Sequence, residues 1–247
     1  MCGVSTFYYS CVRCTLFLLA TFLCLPGCSS KTPAPDGLES GYVSGKVADW
    51  MGNPIRGAKI LIDHDIFFNA TIQTESDVNG SYRVKVPAGS WYAFAIHQAA
   101  MAGESYRFYL SPDNSSGFGG EGAVRNFTWR LSGVMPEPLS GYFGGLITLD
   151  SYPGVYVDLT DTEFILTPNG KLVDNSIGKE LRVRTSDGYL INDIPVGPYT
   201  LRASHQGRPV RFRRWNSEEA FSESYDLKFF AQISGQCDRC AKLEYIW

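Results

Sequence analysis

Asp77-Val78-Asn79-Gly80-Ser81-Tyr82-Arg83-Val84-Lys85-Val86-Pro87-Ala88-Gly89-Ser90-Trp91-Tyr92 decides the fold. It opens on Asn79-Gly80, a pair that supplies positive φ angles to a tight hairpin turn. From Ser81 to Val86 the chain then alternates. Tyr82, Val84 and Val86 fall on one side and Arg83 and Lys85 on the other, the period of a half-buried strand. Pro87-Ala88-Gly89 makes a second turn, and a further strand runs from Trp91 to Ile96. Upstream, Gly57 to Ile62 is an apolar strand, Asp49 to Pro54 a turn cluster, and Gly41 to Val47 a strand with small residues between Val43 and Val47. Downstream, Phe127 to Leu131 alternates and closes the module. Short strands between Gly/Pro/Asn turns predict an all-β fold.

The pattern occurs twice. Gly80, Pro87, Gly89 and His97 recur as Gly188, Pro195, Gly197 and His205, a constant offset of 108. Lys85 to Trp91 reads against Asp193 to Tyr199, and Thr167 to Val173 stands where Trp50 to Ile55 does. Leu181 and Val183 alternate with Arg182 and Arg184, and Leu201 and Ala203 flank Arg202. A repeat of this length points to duplication of a whole domain. The chain thus divides into residues 42–131, a linker at 132–141 rich in Gly and Pro, and a second, related sandwich at 142–247. The two are expected to fold separately.

Four elements of the first copy carry a family resemblance: Gly45-Lys46-Val47, Pro54-Ile55-Arg56-Gly57-Ala58, Asp77 to Tyr82, and Pro87 to Tyr92. Together they resemble the carboxypeptidase regulatory-like domain, a transthyretin-like (prealbumin-like) β-sandwich of about seven strands. The resemblance covers residues 42–131 and is weaker in the second copy, which lacks the Gly-Ala element. It implies two tandem sandwiches acting as an accessory or binding module, with no catalytic residues to carry over. Carbohydrate binding is common among domains with this sandwich, which is analogy at the level of the fold.

The N-terminus belongs to targeting rather than to the fold. Arg13 precedes an apolar run from Thr15 to Leu25, too short for the about 20 residues that span a bilayer but suited to a signal peptide. The run ends in Leu25-Pro26-Gly27-Cys28, which resembles the lipobox of bacterial lipoproteins. The resemblance implies that residues 1–27 are removed, that Cys28 is lipidated, and that residues 28–41 form a Pro/Gly-rich spacer above a lipid bilayer. Ser29 replaces the Asp of an inner-membrane retention signal, which favours the outer membrane where the organism has one. Five of the seven cysteines lie at or before position 28, leaving Cys237 and Cys240. In an oxidising compartment this isolated pair is expected to form a small disulfide; it lacks a βαβ setting for redox work and a second pair for zinc. A net charge of −3 offers no electrostatic footprint for nucleic acid.

Asp63-His64-Asp65 is the densest polar cluster. In an extended chain its carboxylates point to one side and its imidazole to the other, so a solvated strand end is expected, with no metal and no cofactor. His97 and His205 are equivalent positions at strand ends. Arg208 to Trp215 is a basic strand, with Arg211 and Arg213 on one face near Glu218, Glu219, Glu223 and Asp226. No Ser sits in a Gly-x-Ser-x-Gly setting and no carboxylate pair suggests glycosidase chemistry, so no enzyme is expected. Aromatics are the better clue, because sugar rings present C–H faces that stack on Trp and Tyr. Trp50 lies in a turn, Phe67 begins a long loop, and Tyr106-Arg107-Phe108-Tyr109 leads into a Gly-rich loop up to Gly120. Trp50, Asp63, Asp65, Phe67 and Tyr106 are the expected ligand platform. The function expected is an exported, membrane-anchored, non-catalytic carbohydrate-binding-like module; the alternative is a structural or protein-interaction lipoprotein of the cell envelope.

Overall fold

The computed structural model describes residues 37–137, 139–155, 157–185, 187–234 and 237–247. The expected signal peptide and the expected lipidation site, Cys28, lie outside the described residues. These contain 17 strands and no α-helix, so the fold is all-β. In the first half the strands are β1 (Tyr42–Asp49), β2 (Lys59–His64), β3 (Thr71–Glu75), β4 (Ser81–Lys85), β5 (Trp91–Met101), β6 (Glu104–Leu110), β7 (Ala123–Val124) and β8 (Phe127–Trp129). In the second they are β9 (Gly145–Ser151), β10 (Glu163–Pro168), β11 (Leu181–Val183), β12 (Leu190–Ile194), β13 (Tyr199–His205), β14 (Arg208–Arg214), β15 (Tyr225–Leu227), β16 (Phe230–Ile233) and β17 (Cys237–Ile246).

Two four-stranded sheets face each other in the first half. One has β1 at its centre, antiparallel to β4 and parallel to β7 and β8; the other runs β3-β2-β5-β6. Alternation puts Tyr82 and Val86 inside and Arg83 and Lys85 outside. The Asn79-Gly80 turn is not a hairpin. β3 pairs with β2 and β4 with β1, so the turn carries the chain from one layer to the other. Its local chemistry explains the tightness: Asp77 Oδ1 accepts the N–H groups of Asn79 (2.8 Å) and Ser81 (2.9 Å). Only Gly80 has positive φ, at 72°, and a Cβ there would run into the carbonyl of Val47.

The second half repeats the strand order. β11-β10-β13-β14 matches β3-β2-β5-β6, while β9 is antiparallel to β12 and parallel to β17 as β1 is to β4 and β8. β14 joins the layers: Val210 and Pro209 pair with β13, whereas Arg211–Arg214 pair with β17. The repeated aromatic also keeps one role. Trp91 Nε1–H donates to the carbonyl of Pro87 (3.0 Å), and the Tyr199 hydroxyl donates to that of Pro195 (2.8 Å).

The halves touch closely. The Tyr106 hydroxyl donates to the carbonyl of Phe229 (2.7 Å), Ala231 N–H to Glu104 Oε2 (2.7 Å), and Arg239 Nη1 to the carbonyl of Arg107 (2.6 Å). Gly133 N–H donates to the Asp193 carboxylate at 2.8 Å, tying the connecting segment to the second half. Buried apolar side chains form one continuous core, and the described residues fall in one compact unit.

Candidate ligand-binding cleft

Trp50 sits in the turn after β1. Asp49 shapes this turn, its Oδ1 accepting the N–H groups of Met51 (2.9 Å) and Asn53 (2.8 Å). The turn pushes the indole outward, where it is 56% exposed. Its position is nonetheless fixed: Nε1–H donates to Asp174 Oδ2 in the second half (2.9 Å). Asp174 is itself held, since Oδ1 accepts the Ser176 N–H (2.9 Å) and hydroxyl (2.6 Å). Beside the indole lies a cavity of about 600 Å³ with apolar walls from Leu131, Leu172, Ile177 and Leu181 and polar groups from Thr128, Arg130, Ser132 and Lys179. An apolar surface with a few convergent polar groups is the usual make-up of a small-molecule site. The sequence signalled only Trp50. Asp174 and Ile177 follow the segment that stands where the Trp50 turn does in the first copy, but which half would face which was not legible.

The other expected site residues do not join Trp50. β1 and β4 are antiparallel, with Lys46 opposite Ser81 and Tyr42 opposite Lys85. Trp50 therefore lies at one end of the first half, whereas the chain leaving β4 reaches Trp91, opposite His64, at the other. Asp63, Asp65 and Phe67 line a separate cavity of about 350 Å³ there, with Tyr92. The Tyr92 hydroxyl approaches Asp63 Oδ2 (3.4 Å) and the Ser90 hydroxyl Asp65 Oδ2 (3.4 Å). Burial and then the Asp63 charge raise the Tyr92 phenol above its ordinary value. His64 holds the loop rather than a ligand. Its Nδ1 accepts the N–H groups of Ile66 (3.0 Å) and Phe67 (3.2 Å), and its ring packs between Phe67 and Trp91 at centroid distances of 4.6 and 4.7 Å.

Tyr106, expected on the ligand platform, lies in the core instead. It is 2% exposed, within β6, and its hydroxyl is used on Phe229. The Tyr106–Tyr109 segment pairs with β5 along its length and leads into the loop that follows Leu110, but Tyr106 itself points into the core, so no single platform of Trp50, Phe67 and Tyr106 exists.

The remaining polar residues have structural surroundings. His97 packs edge-on against Trp129 and His205 against Trp247. In the basic strand, Arg213 pairs with Glu244 (2.7 Å) under the rings of Phe221 and Tyr152, and Arg214 lies 3.7 Å from Glu219. Cys237 and Cys240 are joined as a disulfide, their Cα atoms 6.0 Å apart. Among the described residues no group of three or more His, Cys, Asp or Glu could hold a metal ion.

No family model matches the chain, and neither does any curated protein. Solved structures give distant likenesses. The TIE protein of Bacillus anthracis is 13% identical over 68% of this chain, which spans 29% of that protein, at a TM-score of 0.27. The major pilin subunit BcpA of Bacillus cereus is 12% identical, with 83% of this chain and 99% of that one covered, at a TM-score of 0.24. A B repeat unit of the collagen-binding surface protein of Staphylococcus aureus is 9% identical, with 84% and 98% covered, at 0.23. The all-β fold rests on the strand pairing of this chain itself.

Proposed function

We propose that this chain is an exported, lipid-anchored, non-catalytic protein whose Trp50 cleft takes a sugar ring of an envelope glycan. The observation that carries the reading is an indole more than half exposed yet locked by Asp174 from the other half. An immobilised flat ring offers stacking area with little ordering entropy to lose. Thr128 and Ser132 supply hydroxyl groups, and Arg130 and Lys179 supply cations for a carboxylate or phosphate substituent. Nothing in the reading requires a reaction: recognition and tethering are the whole task.

A glycan array on protein extracted from membranes tests it. Trp50→Ala should weaken binding by at least about 1 kcal/mol, roughly fivefold, with thermal stability nearly unchanged, as for an exposed binding aromatic. Equal binding by the variant, or no binding by the unmutated protein at millimolar glycan, overturns the sugar reading. Anchoring is tested separately, by finding a diacylglyceryl mass on a peptide that starts at Cys28. The second reading, protein interaction, draws on β11. This short strand ends its sheet beside the same cleft, where an extended partner segment could add by strand pairing; crosslinking in intact envelopes would capture that partner.

A further inference from the structure

Ile66, Phe67 and Phe68 form the tip of the β2–β3 loop. Phe68 is 94% exposed, Ile66 76% and Phe67 65%. Single exposed apolar residues are ordinary, but three consecutive large ones at a loop tip are not. The loop is held open: the backbone N–H groups of Ile66 and Phe67 are fixed on His64 Nδ1, and Asn69 takes a left-handed φ of 59°.

The tip lies where the chain enters the first half. Ser40 Oγ–H donates to the carbonyl of Gly120 (3.0 Å), and Gly41 N–H donates to the same carbonyl (2.9 Å). Gly120 abuts Ala88, and Gly89 packs so near His64 that a Cβ on it would lie 3.0 Å from Nε2. His64 in turn stacks on Phe67. Only about 13 residues separate Cys28 from β1, a span of at most about 45 Å even when fully extended. On the lipid-anchored reading, the tether holds the start of β1 within about 45 Å of the lipid surface, which leaves the tip within reach of it.

We infer that the Ile66–Phe68 tip inserts into the interfacial layer of the bilayer that carries the anchor, which rests on the lipid-anchored reading above. A tether supplies a high effective concentration, so even weak partition of two phenyl rings and one sec-butyl group is populated. The charges beside the tip set the depth. Asp63 and Asp65 line the same cavity as the tip and are costly to take below the headgroups, so the rings enter while the carboxylates stay above them. The same charges favour neutral over anionic headgroups.

The test uses the full-length membrane-extracted protein reconstituted in phosphatidylcholine vesicles that contain brominated acyl chains. An environment-sensitive dye is placed at Phe68→Cys or, as a control, at Val78→Cys. Val78 is also exposed, at 62%, and lies in the turn beside Val47 and Ile55 at the opposite end. Quenching at position 68 should exceed that at 78 at least about threefold, with a blue-shifted emission, as expected for a group about 5–10 Å into the headgroup boundary. Protein that stays on the vesicles with both dyes in water overturns the tip insertion alone. Protein that leaves the vesicles, with position 68 in water, overturns anchoring and insertion together.

Discussion

His97 packs its ring against Trp129, centroids 4.5 Å apart, and burial holds its pKa below the ordinary histidine value. The folded state thus prefers the neutral ring. The sign follows: with the folded pKa depressed, this stability is fully present above the unfolded value near 6.5 and is lost as pH falls through the lower folded value. Denaturant midpoints measured from pH 7.5 down to 5 should fall on the acid side, and His97→Phe should flatten that fall. An equal pH dependence in the variant would show that other groups carry it. Residues taken singly were the least legible part of the sequence. Trp50 and Tyr106 are both aromatics in a β context, yet one is exposed and the other buried. Alternation gives the side of a strand on which a residue lies, whereas the fate of Tyr106 depends on Phe229, more than a hundred residues away.

Strands were more legible, because period-two alternation and turn residues are local signals. β1, β2, β4, β5, β8, β11, β13 and β14 fall on stretches read as extended. β3, with its Thr71-Ile72-Gln73-Thr74-Glu75 sequence, carries a single apolar residue and so gives no apolar alternation, and the Asn79-Gly80 turn was legible as a turn but not as a crossing between layers. Turn chemistry fixes local angles and leaves the partner of the next strand open. β17 illustrates the link between element and joint. Its disulfide brackets Arg239, whose left-handed φ of 49° accompanies a side chain turned into the first half, onto Arg107 and the ring of Phe108. Cys237→Ser with Cys240→Ser should cost about 2 kcal/mol, the entropy of so short a closed loop, without abolishing the fold. Chemical denaturation of the double variant, and of the unmutated protein with and without reductant, checks this; unchanged midpoints would mean the clip adds nothing to stability.

At the scale of the whole molecule, the repeat was legible as a 108-residue offset and the structure repeats the strand order, but the continuous core and the hydrogen bonds that join the halves left no local trace in sequence. With that joint continuous, the intact chain should melt in a single calorimetric transition. Tyr106→Phe should lower it by about 1–3 kcal/mol, the cost of leaving the Phe229 carbonyl without its partner. Two transitions, with only one moved by the substitution, would mean that the halves fold independently across residues 132–141. In each half the first strand runs parallel to the last, β1 beside β8 and β9 beside β17. The chain therefore enters a half at one end and leaves at the other. Tension between the termini pulls such a pair lengthwise, so its rungs are strained together in shear rather than opened one at a time. A protein fastened at one end to a surface and gripped at the other would resist being drawn apart in this geometry, with two such clamps in series along the line of pull.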